Sequence, residues 1–240
     1  MREGFAISAA EKFSCPVSAI LNLDELTEQE RSQLPMWWLE IVGLTPTESI
    51  QLTMDHWNRA LPEEMRRLHT IVEQYCHDVT LVRLSTADYN GLALLYGFDT
   101  PKGRAFLVGY PPARSESSIF ARMPRALSEF YLNLHDGLHY DPNPDPVGFY
   151  KADKLVDWES WVGSSELSYL SYPPPEVPPL AKNLILFYTD GSGGYILFNT
   201  DPNGLVVWTV GSGLIEEETR ELWDVVDDWI ALVLTGDFYD

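Results

Sequence analysis

His135 and His139 stand at the HxxxH spacing, with Asp136 and Asp141 beside them. On one helical face, two imidazoles so spaced can ligate a divalent metal. The two carboxylates could instead serve as the acid and base of a hydrolase. Gly137, however, favours a left-handed helix end between the histidines, which would part the ligands. No nucleophile–base pair or further metal ligand accompanies the carboxylates. Asp190-Gly191-Ser192-Gly193-Gly194 has the glycines of a phosphate-binding loop, but it lacks the P-loop lysine and leads into a strand. A nucleophile elbow needs strand–turn–helix and is excluded on the same ground. The segment reads as a turn capped by the side chain of Asp190. Cys15 and Cys76 form no CxxC and no zinc-spaced cluster with histidine, so two free thiols in a reducing compartment are expected. These residues assign no catalytic group, no metal and no cofactor.

Residues suited to binding are more plentiful. Glu217, Glu221, Asp224 and Asp228 recur at i, i+4, i+7 and i+11, an acidic stripe if the segment is one helix. Such a stripe could dock a basic surface, and it equally suits a solvated helix face. Asp141 and Asp145 sit in a loop stiffened by Pro142, Pro144 and Pro146, so binding there would sacrifice little entropy. Trp37 and Trp38 are adjacent and cannot both point into one core beneath a helix. An exposed tryptophan would be a binding hot spot, whereas burial between two layers would make both core residues.

Charge narrows the partner. The formal net charge is −20. Residues 1–120 hold 10 basic and 16 acidic side chains, a net −6; residues 121–240 hold 6 and 20, a net −14. This balance argues against nucleic acid and anionic membrane surfaces and suits a basic protein, although solubility alone would also explain it. No apolar run approaches a membrane-spanning length, and charges interrupt the N-terminus as a secretory signal, so a cytoplasmic protein is expected. An apolar content of 45%, with eight Trp, twelve Tyr and ten Phe, predicts a packed core.

Period and punctuation place the elements. The first 77 residues read as helical, with Asp24 and Thr27 as candidate N-caps, Glu30 completing a capping box, and further helices opening at Thr45-Pro46 and at Pro62-Glu63-Glu64. Val79–Leu84, Gly91–Phe98 and Ala105–Tyr110 form a first meander, and 111–118 is a linker. A helix from Pro124 carries Leu127, Phe130, Tyr131 and Leu134 and stops at His135-Asp136-Gly137; a short one is possible around Leu155–Trp161. Prolines keep 172–179 extended. A second meander follows: Ile185–Thr189, Tyr195–Asn199 and Leu205–Val210, with turns at 190–194 and 201–204. Leu222, Val225, Val226, Trp229, Ile230 and Val233 make the apolar stripe of a closing helix.

The order of these later elements resembles the SUKH superfamily, which includes the yeast cell-wall-assembly-regulator type and many bacterial immunity proteins. The residues that carry it are Pro124, Leu127, Phe130 and Tyr131 before Gly137, then Leu186-Phe187, the Asp190–Gly194 turn, Tyr195–Phe198, Val207-Trp208 and the closing helix. It spans about residues 122–235. The aspartate that family carries after the turn glycine is Gly194 here, and the asparagine before the helix-ending glycine is Asp136. The first 120 residues lie outside the family core.

The resemblance implies an α+β fold, a curved antiparallel sheet packed by helices, for the SUKH-like part over 121–240; the residue pattern adds an N-terminal helical and β-meander extension over 1–120, either separate or continuous with it. It also implies a binding protein and not an enzyme: an immunity protein that neutralises a cognate secreted bacterial toxin, with acidity suited to a basic toxin. A carboxylate-dependent hydrolase using Asp136 and Asp141, and a regulatory scaffold of the same fold, are the alternatives.

Overall fold

Short-range signals set two of the helix starts. Thr27 and Thr45 each accept from the amide three residues on while Glu30 and Glu48 reach back to the cap amide, closing two capping boxes. A cap of this kind stabilises by about 1 kcal/mol. They open α2 (Glu28–Gln33) and α4 (Pro46–Ala60), with α1 (Arg2–Phe13) before and α3 (Met36–Ile41) between. Asp24 does not cap: Asn22 accepts its amide and opens a 3₁₀ turn instead. The helix expected at Pro62 starts later, as α5 (Arg66–Tyr75), because Met65 takes a left-handed conformation just before it.

A computed structural model describes residues 2–114, 119–142, 147–163, 181–200, 207–211 and 214–236. Asp145, the prolines of 172–179 and the turn at 201–204 lie outside them. The described strands are β1 (Val17–Ala19), β2 (Cys76–Ser85), β3 (Asn90–Thr100), β4 (Gly103–Gly109), β5 (Leu138–Asp141), β6 (Val147–Phe149), β7 (Val156–Asp157), β8 (Leu184–Thr189), β9 (Tyr195–Asn199), β10 (Val207–Gly211) and β11 (Leu214–Glu218). All join one open antiparallel sheet in nearly sequential order, with β6 and β7 pairing successive parts of β8. The sheet crosses the boundary expected near residue 120 through the pairs Val108↔His139 and Gly109↔Leu138. The chain is thus α+β, a curved antiparallel sheet packed by helices.

Strand alternation divides the core. Leu92, Leu94, Tyr96 and Phe98 of β3 face the large core, packed by α4, α5, α6 (Arg125–Glu129) and α8 (Leu222–Thr235). Ala93 and Leu95 face the other side, under Phe5, Ala9 and Phe13 of α1. Further along, Leu184 and Leu186 meet Trp158 of α7 (Trp158–Gly163). A bulge between Leu186 and Tyr188 turns both Phe187 and Tyr188 into the large core. The helix α6 continues as a π-helical turn, Phe130–Leu134. It ends on an extended His135 rather than a left-handed glycine, and Gly137 takes its positive φ on the way into β5.

The second meander's first turn forms as expected. Asp190 Oδ1 accepts the amides of Ser192 and Gly194 at 2.7 and 2.8 Å. A Cβ on residue 194 would stand 2.3 Å from the Asp190 carboxylate, so this closure requires the glycine.

Candidate functional site

The acidic stripe is not a helix face. Glu217 lies on β11, Glu221 precedes the first turn of α8, and only Asp224 and Asp228 are helical. Arg220, exposed and in a bend, interrupts the period that the carboxylates suggest. It donates to Glu218 at 2.8 Å and to Asp228 at 2.7 Å, and Asp228 also accepts from Arg67. Asp228 is therefore committed within the fold. Glu217, Glu221 and Asp224 remain exposed, and Glu216 joins them. Among the described residues no cation lies within ion-pair distance of these four. Glu216 and Glu217 are consecutive on β11, so strand alternation turns them to opposite faces of the sheet. Asp141 ends β5 half-buried.

Trp37 and Trp38 are both core residues, at 6% and 0% exposure, so neither is an exposed hot spot. The short α3 lets the two rings diverge: Trp37 stacks on His56 of α4 at 4.6 Å between centroids, while Trp38 packs against His135. The outer side of the Trp37–His56 pair lines a cleft of about 680 Å³ between the α2–α3 corner, the end of α4, residues 112–114 and the π-helical turn. Arg59 and Arg114 line it too.

His135 and His139 part to opposite faces of the sheet, so their spacing creates no joint site. Trp57 Nε1 donates to the Tyr96 hydroxyl at 3.1 Å, leaving that hydroxyl to donate to His135 Nε2 at 2.6 Å. Burial holds His135 down at about 3, against the nearby Tyr110 carbonyl, which favours the charged ring. His139 Nδ1 meets the Tyr110 hydroxyl at 3.1 Å, and burial lowers its pKa to about 4. Asp136 accepts the Ala152 amide at 2.6 Å and so pins the turn after β6; burial raises its pKa. Cys15 and Cys76 are free thiols, both pushed up by burial, Cys76 to about 12. Among the described residues no group of three or more His, Cys, Asp or Glu is placed to hold a metal, and no helix is long and apolar enough to cross a membrane.

No protein-family model, no curated protein and no solved structure matches the chain.

Proposed function

We propose that this protein is a SUKH-type immunity protein that neutralises a cognate, basic, secreted toxin by stoichiometric binding in the cytoplasm. The observation that carries the reading is the exposed carboxylates Glu217, Glu221 and Asp224, which have no ion-pair partner among the described residues, on an edge strand, at the start of the closing helix and in its first turn, in the half of the chain with net charge −14. An acidic patch of this kind raises the encounter rate with a basic partner and penalises acidic ones. An edge strand also leaves backbone groups available for pairing, and charged side chains there select against unspecific strand addition. The resemblance of residues 122–235 to the SUKH superfamily supports the same reading.

The test is protection. If a basic toxin domain is encoded beside this chain, co-expression of the two should restore growth. The triple charge reversal Glu217→Lys, Glu221→Lys, Asp224→Lys should abolish both protection and co-purification while leaving the circular dichroism unchanged. Unimpaired protection by that folded variant would remove the acidic patch from the mechanism. Failure to recover any specific partner from the native host would remove the immunity reading itself.

A further inference from the structure

We propose that the cleft beside the Trp37–His56 stack binds a small organic anion, with its acidic head on Arg59 and Arg114 and its apolar body on Leu34, Pro35 and Leu132. This site is separate from the acidic patch and does not depend on the toxin reading.

Charge is the first argument. The chain has 36 acidic and 16 basic residues, so an arginine finds a carboxylate easily. Six of the eleven arginines do, Arg2, Arg31, Arg67, Arg83, Arg104 and Arg220; Arg59, Arg66, Arg114, Arg122 and Arg125 do not among the described residues, and of these five only Arg59 and Arg114 line one cleft. Arg59 and Arg114 are exposed on one cleft, and among the described residues neither lies within ion-pair distance of a carboxylate. Among the described residues the one carboxylate lining the cleft, Glu129, is held by the Asn133 amide, which donates to its Oε2 at 2.6 Å. Two arginines and one glutamate leave the described lining at net +1, with Glu40 and Asp55 acting on His56 from outside it.

Geometry is the second argument. Arg59 Nη1 donates to His56 Nδ1 at 3.3 Å. An arginine has no acceptor, so the neutral ring carries its proton on Nε2 as a further donor. The contact ties the guanidinium to a ring that Trp37 already holds in place, which lowers the entropy lost when an anion binds. The volume, about 680 Å³, lies in the range of small-molecule sites, although the lining exposes more polar than apolar surface, which suits a charged head group more than an apolar body. Guanidinium groups take carboxylates and phosphates alike, in bidentate fashion.

The experiment titrates benzoate, phenyl phosphate and the uncharged benzyl alcohol into the full-length protein, followed by NMR of the arginine Nε–H and backbone amide resonances. Saturable shifts at residues 32–37, 56–60 and 129–133 are expected for the anions, with the tighter of the two naming the head group. Arg59→Ala and Arg114→Ala should each weaken binding by about tenfold, because a charge-assisted contact is lost. Arg59→Lys should fall between. Arg125→Ala, exposed and outside the cleft, should change nothing. Benzyl alcohol binding as well as benzoate, no saturation by either anion in the millimolar range, or equal weakening by Arg125→Ala would each overturn the proposal.

Discussion

At the scale of single residues, the chemistry that the sequence advertised is used for structure. His135 and His139 are buried neutral rings whose neighbours supply tyrosine hydroxyls. Folding lowers both pKa values from the ordinary 6.5, to about 3 and about 4. The unfolded chain therefore takes up these protons first as the pH falls. The stabilisation is complete above about 6.5 and is lost progressively below it, by up to about 1.4 kcal/mol per pH unit for each ring. Two ring resonances that stay fixed between about pH 7.5 and 5.5 are expected by NMR, together with a urea midpoint that falls over the lower part of that range. Titration of His135 or His139 above pH 5.5 would contradict the burial argument. The spacing of the two residues was legible and their meaning was not, because sequence gives no sign that Tyr96 and Tyr110 wait on opposite faces of the sheet.

Among the elements, the joint between α5 and α8 shows where sequence reading stops. Asp227 accepts the amides of Arg67 and Leu68 at 2.7 and 2.8 Å, so a carboxylate 160 residues along the chain caps the start of α5. Burial raises its pKa, and the two amides pull the other way. Asp227→Ala removes both acceptors and strands buried N–H groups. We expect a loss of about 2–3 kcal/mol in urea unfolding. Glu221→Ala, at the formal cap position of α8 but without a side-chain cap bond, should stay within about 0.5 kcal/mol. Equal effects would show that the remote cap carries no weight. The capping box of α2, the start of α4 and the Asp190 turn were readable because the signals lie within four residues; the second box, Thr45 with Glu48, has the same spacing and emerges only in the structure. Asp227 was not, since it stands in the middle of an apolar helix and its partners belong to another element. The acidic stripe failed for a related reason. A period of 3.6 does not hold across residues 217–221, where the chain is a strand end and a bend, and the amphipathic pattern begins only at Leu222. The same limit hid the cleft, which four separate segments assemble.

For the whole molecule, one quantity carries two opposed consequences. A net charge of −20 repels itself in the folded state, where the carboxylates are brought closer than in the expanded chain. Salt should relieve that repulsion. It should also weaken the surface ion pairs, such as Arg104 with Asp99 and Lys182 with Glu159, but exposed pairs contribute about 0–1 kcal/mol each. With 36 acidic residues against 16 basic ones, repulsive neighbours outnumber attractive ones, so screening wins. Raising sodium chloride from about 10 to 200 mM shortens the screening length from about 30 Å to below 10 Å. The urea midpoint should therefore rise over that interval, urea being chosen because it adds no charge of its own. The proposed complex should respond with the opposite sign, since attraction between an acidic protein and a basic toxin is screened by the same ions and its association slows. Fold stability rising while toxin association slows would place the surplus acidity in recognition at a cost to the fold. A midpoint that falls with salt would mean that the paired carboxylates, Glu218 and Asp228 on Arg220 among them, dominate the surface field instead.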